Sequence, residues 1–482
     1  MTTTVATVAL SAGMIASATG GRIAAGDAAQ LFEGVSTDSR TLPRGALFIA
    51  LRGDRFDGHE FIAGALARGA GGVLIADDAA GRVADLTASK RPPASSPVVI
   101  TVPDTLVALQ AIGREVRRQS GAHVIAITGS AGKTTTKEIT AELLSARYRV
   151  FRNQGNLNNH IGLPLSLIEL RQGPEMAVVE LGMNHFGEIR TLVGIAEPDV
   201  RVWTNVGDAH VGYFGSREAI AQAKGEILEN ARPGTLLIAN ADDPLVMTHA
   251  SRFAGRVVTF GEHPRADVRA SNVVDRGIDG TSADVHSGAG AIRLTVPLVG
   301  RVQLSNALAA ITVALEFGVS IPEIEWRVAT VRPVARRGTT TALANGVRIV
   351  DDSYNASPAA MQAMLAALAK TPTRGRRLAV LGEMLELGDS ARELHAECGR
   401  AAARAHVDEL IVVGGAAADG LAEGAAAEGL AAARIHRYAD SVSAAEAVAR
   451  LVTGGDLVLV KGSRGTRTDI IADRLARAAE GA

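Results

Sequence analysis

The sequence predicts an α/β protein in three sections, residues 1–102, 103–331 and 332–482. Three observations carry that prediction. Short apolar runs alternate with longer Ala-rich, helix-compatible segments over most of the chain. A glycine-bearing loop joins a strand-like run to a helix-like run in "HVIAITGSAGKTTTKEIT", residues 123–140, the mark of a central P-loop-type, mostly parallel sheet. Further apolar runs separated by helical stretches fill the last section, as a Rossmann-like doubly wound domain requires. At 482 residues the chain also exceeds one ordinary domain.

Taken in order, the first section offers the strands "ALFIAL" and "GGVLIA" with the helical "HEFIAGALARGA" between them. The polar, proline-bearing "TASKRPPASSP" breaks the pattern before the strand "VVITV" and the helix "DTLVALQAIGREVRRQ". In the middle section "MAVVELG", "VRVWTNVGDAH" and "GTLLIANADD" are apolar runs that end in polar residues. From about Asp267 to Val299 the chain is rich in Gly, Ser and Asp, and its alternating "IRLTVPL" predicts a small antiparallel excursion. The third section carries "VRIVDDS", "RLAVLGE", "ELIVVGG" and "DLVLVKGS". No G-x-G-x-x-G follows these strands, so a dinucleotide site is not expected there.

Composition narrows the function. With 50 basic and 51 acidic residues the net charge is −1, so no bulk field favours nucleic acid or an anionic membrane. A polyanionic ligand must be held by local devices. The single cysteine, Cys398, excludes an internal disulfide and a multi-cysteine metal site, and its helical setting predicts a small core residue. The N-terminus has no Lys or Arg before Arg22, and no apolar run reaches membrane-spanning length. A cytoplasmic location without membrane insertion is the expectation.

The loop itself departs from G-x-x-x-x-G-K-[ST]: Ile127 stands where the first glycine belongs, and the first glycine is Gly129. The chemistry is nevertheless that of a phosphate loop. Gly129 and Gly132 let the backbone approach phosphates, with Ser130 and Ala131 between them. Lys133 reaches the outer phosphates, and the hydroxyl of Thr134, followed by Thr135, suits Mg²⁺. Glu180 ends "MAVVELG", and His210 ends "VWTNVGDAH". Either alone could be a cap or a satisfied surface group. Two strand-end ligands in succession after a phosphate loop point to a metal. Lys224, in "AIAQAKGEIL", reads as readily as a solvated helix lysine. Asp351 and Asp352 in "DDSYNASP" could cap the next helix, hold ribose hydroxyls or bind a metal.

These pieces together resemble the Mur ligase family, the ATP-dependent amide-forming enzymes of peptidoglycan precursor synthesis. The resemblance runs from the shortened loop, Thr128 to Thr135, through "NQGNLNNHIGLPLSL", "VVELGMNHFGEI", "NVGDAHVGYFGSREAIAQAKGEI", "SNALAA", "DDSYNASP", "LGEMLELG" and "VKGSRGTRTD". It covers all three sections in order. It implies ATP and Mg²⁺ at Lys133 and Thr134, metal ligation by Glu180 and His210, and carbamylation of Lys224 into an anionic ligand. It further implies nucleotide contacts from Asn306, from Arg337 (with Arg336 as the alternative register) and from Asp352 on the ribose. Thr37, Asp38, Ser39 and Arg40 of "STDSR" and Asp57, Gly58 and His59 of "RFDGHEF" resemble UDP-sugar-binding elements, which makes the first section a UDP-MurNAc-binding substrate domain. His160 departs from the pattern, standing where many relatives have Asp. The strings "GNLNNHIG", "ELGMNHFGEI" and "DDSYNASP", with no D-N-P-R motif, favour the member that adds D-Ala-D-Ala to UDP-MurNAc-tripeptide. The alternatives are a ligase adding a single amino acid, or glutamate to folate, and a nucleotide-dependent switch. A monomer that closes the third section over the central one during turnover is expected.

Overall fold

The computed structural model describes residues 7–53, 55–81, 97–209 and 211–477, which fall into two compact units. The first comprises Met1–Ala126, Arg147–Arg201 and Glu229–Thr235; the second comprises Ile127–Ala146, Val202–Leu228 and Leu236–Ala482. Among the described residues no helix is long and apolar enough to cross a membrane.

In the first unit, helix α1 (Ala12–Thr19) begins where the Ser11 hydroxyl accepts the Met14 amide, and it ends at Gly20 with φ 64°. Strands β1 (Arg22–Ala25), β2 (Val35–Ser36), β3 (Leu47–Ile49), β4 (Gly72–Ala76) and β5 (Val98–Val102) follow. They form one sheet in the order β1-β5-β4-β3-β2, parallel except for β1. Strands β3, β4 and β5 are buried throughout, as central parallel strands are, which explains their unbroken apolar runs. Helix α2 (Ile62–Ala67) lays Ile62 and Ala65 into a core with Phe48, Val73 and Val99. Apart from Pro97, the proline-bearing break lies outside the described residues. Helix α3 (Thr105–Ser120) is capped by Asp104, whose carboxylate accepts the amides of Leu106 and Val107. Such a cap stabilises by about 1 kcal/mol.

The chain then runs through β6 (His123–Thr128), β7 (Val150–Arg152), β8 (Met176–Glu180) and β9 (Val200–Trp203). Strands β7 and β8 pair in parallel within the first unit.

In the second unit, helix α4 (Lys133–Leu144) follows β6, and helix α5 (Arg217–Gly225) starts at the Ser216 cap. Strands β10 (Leu236–Asn240), β11 (Arg256–Gly261) and β12 (Val268–Asp275) pair in parallel, and β12, β13 (Thr281–Ser287) and β14 (Gly290–Val296) form an antiparallel meander. That meander is the excursion the sequence predicts. Helix α6 (Val302–Glu316) is buried along most of its length because "NALAAITVA" offers small side chains on nearly every face.

The last part of this unit is a six-stranded sheet in the order β15-β16-β20-β17-β18-β19. Its strands are β15 (Thr339–Ala342), β16 (Arg348–Asp352), β17 (Arg377–Gly382), β18 (Glu409–Val413), β19 (Ile435–Tyr438) and β20 (Leu457–Lys461), parallel except for the edge strand β15. Alternate residues face two cores. Val350, Ala379, Leu410 and Leu459 pack with helices α7 (Pro358–Lys370) and α8 (Ala391–Arg404), while Ile349, Val380, Ile411 and Val458 pack with α9 (Asp469–Arg477). This is a doubly wound sheet. Cys398 is fully buried on α8, and burial pushes its thiol up to about 12, so it is the inert core residue expected. The four apolar runs of the section are β16, β17, β18 and β20. Strands β15 and β19 escape a sequence reading because edge strands carry no continuous apolar face: "TTTA" and "IHRY" are mostly exposed or half-buried.

Candidate active site

The phosphate loop is a strand-to-helix turn whose shape depends on its two glycines. Gly129 has φ 151° and Gly132 has φ 82°, where a side chain is strained. A Cβ on Gly129 would lie 1.9 Å from the Thr204 hydroxyl, and one on Gly132 would lie 2.1 Å from Asn306 Oδ1. The loop is thus pressed from beneath by two polar side chains. Thr204 donates to the Ala131 carbonyl at 2.8 Å, and the Asn205 amide group donates to the same carbonyl at 3.0 Å. Asn205 Oδ1 accepts the Ala131 amide at 2.9 Å, and the Ser130 hydroxyl accepts the Gly207 amide at 2.8 Å. Behind these, Asn240 donates to the Thr204 carbonyl at 2.8 Å and the Asp243 carboxylate accepts the Val206 amide at 2.7 Å.

Lys133 opens helix α4, so its side chain rises from the loop and its ammonium donates to the Gly129 carbonyl at 2.8 Å. Thr134 is buried in the first turn, and Thr135 lines a small cavity with Glu138, Gln303 and Arg337. The helix start adds the positive end of its dipole. Asn306 is 3 % exposed on α6; its Oδ1 accepts from the Thr136 hydroxyl at 3.4 Å and its Nδ2 donates to Gln303 at 2.8 Å. Its visible work is to brace the loop. One residue earlier, Ser305 borders a second cavity of about 250 Å³ with Asp242, Leu304, Leu308 and the ion-paired Glu262 and Arg301.

Lys224 is 1 % exposed on α5, which removes the reading of a solvated helix lysine. His210 lies outside the described residues. Glu180, at the end of β8 in the first unit, is 5 % exposed. Its carboxylate accepts from Asn158 Nδ2 at 2.9 Å, and its own amide donates to Asn153 Oδ1 at 3.1 Å. "NQGNLNN" is therefore the frame of this carboxylate, a role its pattern alone did not disclose. His160 in the same stretch is exposed, and its carbonyl accepts from Gln110 at 3.2 Å. Among the described residues no three His, Cys, Asp or Glu side chains are grouped to cage a metal.

At the carboxyl ends of β16 and β20, Lys461 donates to Asp352 at 2.5 Å and to the Asn355 carbonyl at 3.0 Å. Lys461 is almost wholly buried, and sequence reasoning missed it although "VKGS" contains it. The neighbouring Asp351 accepts from the Ser353 amide and hydroxyl; burial nonetheless raises its carboxyl above the usual range. The two candidate arginines separate cleanly. Arg336, with φ 62°, donates to both oxygens of Asp473 at 3.0–3.1 Å and sits 3.6 Å from Asp351. Arg337 instead stacks its guanidinium 4.1 Å from the centre of the Tyr354 ring.

In the first unit, Asp38 binds the Arg40 guanidinium through two oxygens at 2.8–2.9 Å, and the Asp38 amide donates to the Ser36 hydroxyl at 3.1 Å. Those hydrogen bonds from Arg40 hold the Asp38 carboxyl at about 2. Thr37 and Ser39 complete this half-buried turn. Asp57 caps a short turn starting at Gly58, and its carboxylate accepts from the His59 amide at 3.0 Å. The buried His59 ring accepts the Ala76 amide at Nε2 (3.0 Å), so Nδ1 carries the proton and donates to Asp57 at 2.5 Å. Both ring nitrogens serve the fold, which leaves Asp57, not His59, as the group turned outward.

Residues 31–117 match the family profile described as "Mur ligase family, catalytic domain", 127–314 "Mur ligase middle domain" and 336–464 "Mur ligase, glutamate ligase domain". The UDP-N-acetylmuramoyl-tripeptide–D-alanyl-D-alanine ligase of Bacillus subtilis (strain 168) is 34% identical over 443 residues, covering 92% of each chain. The crystal structure of MurF from Acinetobacter baumannii superposes with a TM-score of 0.85 at 31% identity, over 98% of this chain and 100% of that one. MurF ligase from Thermotoga maritima in complex with ADP gives 0.79 at 30% identity, over 93% and 98%.

Proposed function

The chain belongs to the Mur ligase family, and from that premise we propose that it is the ATP- and Mg²⁺-dependent ligase that joins D-alanyl-D-alanine to UDP-N-acetylmuramoyl-tripeptide. The observation that carries this reading is a braced phosphate loop within a chain similar along 92% of its length to a relative of that name.

The chemistry starts from two anions that repel, the tripeptide carboxylate and the γ-phosphate. A carboxylate oxygen attacks the γ-phosphorus and ADP leaves; the amine nitrogen of the dipeptide then attacks the acyl carbon, loses its proton, and phosphate leaves. Lys133, already held over the loop by the Gly129 carbonyl, offsets phosphate charge, and the loop amides and helix dipole add to it. Because Thr204, Asn205 and Asn306 fix the loop from beneath, little reorganisation is needed when charge develops. The residues suit Mg²⁺: in phosphoryl transfer this ion takes one or two protein oxygens and fills its shell with phosphate and water. Thr134 and Glu180 are the proposed donors, with His210 and a carbamylated Lys224 around a second ion. Bound Mg²⁺ supplies charge neutralisation between the reacting anions.

Arg337 and Asp352 are the proposed contacts from the third section to phosphate and ribose, and Asn306 is a further proposed contact to the nucleotide. Thr37, Asp38, Ser39, Arg40, Asp57 and Gly58 are proposed to hold the UDP-sugar, with His59 orienting Asp57.

Phosphate release and product mass, measured with each acceptor in turn, test the reading. Ligation is expected only with ATP, UDP-MurNAc-tripeptide and D-Ala-D-Ala together, and a dependence on dissolved CO₂ checks the Lys224 carbamate. Preference for free diaminopimelate or lysine, or ATP hydrolysis indifferent to the UDP-muramyl peptide, overturns it.

A further inference from the structure

Arg337 and Arg464 share an unusual circumstance. Neither has a carboxylate partner among the described residues, although arginines nearby do: Arg336 pairs with Asp473, and Arg467 lies 3.9 Å from Asp469. Both guanidiniums instead face one ring. Arg337 Cζ lies 4.1 Å and Arg464 Cζ 5.9 Å from the centre of Tyr354. The ring is placed by backbone. Strands β15 and β16 pair antiparallel with Thr339 opposite Asp351, and just beyond that register the Tyr354 amide donates to the Arg336 carbonyl at 3.1 Å. Tyr354 follows β16, and Arg464 follows β20, its parallel neighbour. Both residues therefore stand at the carboxyl edge of the sheet, where ligands of open α/β sheets bind.

A carboxylate would neutralise an arginine and compete with an anionic ligand. An aromatic face holds the cation in place by its quadrupole and keeps the charge and all five donors available for an oxyanion. We propose that Tyr354 is a positioning residue whose ring holds Arg337 and Arg464 as a paired cation clamp for an oxyanion of the reactants. The oxyanion is either a phosphate of the nucleotide or the terminal carboxylate of the acceptor. This inference rests on the ligase reading for the identity of those reactants, but not for the clamp itself.

The test compares Tyr354→Leu, Tyr354→Phe and Arg337→Ala in the full chain, by steady-state kinetics and by calorimetric binding of a non-hydrolysable ATP analogue. Tyr354→Leu is expected to lower kcat/KM by about 10-fold, with Tyr354→Phe within about threefold of wild type because the ring face is retained. Melting temperatures should be alike for the two Tyr354 variants. Adding Tyr354→Leu to Arg337→Ala should cost less than the two losses multiplied, because they act through one device. If Arg464→Ala raises KM for ATP, the oxyanion is phosphate; if it raises KM for the acceptor, it is the carboxylate. A loss in Tyr354→Phe as deep as in Tyr354→Leu, or fully multiplicative losses, overturns the clamp. Failure of the wild type to ligate, with analogue binding still weakened by Tyr354→Leu and not by Tyr354→Phe, overturns the ligase reading alone.

Discussion

Two crevices at the carboxyl ends of strands hold the candidate chemistry, and they are built by opposite means. The loop after β6 makes its site from consecutive residues: two glycines, a lysine and a helix start within Gly129–Thr135. The crevice at β16 and β20 makes its site from partners far apart in the chain, such as Asp352 and Lys461, separated by 109 residues. The first presents backbone amides and a helix start, so its geometry is fixed locally and only braced from outside. The second depends wholly on the sheet bringing two strands into register. Anion binding can thus be written into a short stretch or into a fold, and the two should fail differently.

Lys133→Ala breaks the local device at its charge and has the largest expected effect. We expect a loss of about 10³-fold in kcat/KM with the melting temperature kept, read by phosphate release. Stability unchanged and activity gone is the signature of a site built on backbone.

Lys461→Ala breaks the tertiary device and should show the reverse emphasis. Removing one partner of a nearly buried pair leaves Asp352 uncompensated, which costs about 3 kcal/mol in denaturant unfolding. The double variant Lys461→Met with Asp352→Leu should recover part of that loss, because replacing both charges removes the desolvation penalty. A neutral Lys461→Ala would mean that the register, not the pair, holds the crevice.

Asp38→Asn sharpens the comparison at its weak end, because this carboxylate–arginine pair is local and exposed: the Arg40 side chain is 85% accessible. Its folded pKa of about 2 lies below the ordinary 3.8, so its contribution is present above about pH 4 and lost as pH falls through about 2. Solvent screening limits that contribution to under about 1 kcal/mol. A proton titration by NMR should report the low pKa, while Asp38→Asn leaves the unfolding midpoint at pH 7 nearly unchanged.

The same contrast governs what could be read before folding. Strands β3, β4, β8 and β18 and the glycine loop were legible because their signals are contiguous: apolar runs, and a lysine beside the glycine that starts its helix. Glu180 was legible as a strand-end carboxylate, yet its holders Asn153 and Asn158 were not, since amides 22 to 27 residues away announce no partner. The partners of the buried His59 ring, Asp57 and the Ala76 amide, were not legible because a histidine beside an aspartate shows no burial. The choice between Arg336 and Arg337 was open for the same reason.

The sequence by itself determined the α/β class, the loop with Lys133 and Thr134, and the strand-end acids, because each is encoded in neighbouring residues. Only the tertiary structure decided that Lys224 is buried, that Lys461 answers Asp352, and that Tyr354 carries Arg337 while Arg336 is bound to Asp473. Burial and pairing are properties of distance in space, and spacing along the chain does not specify them once the partners lie on different strands.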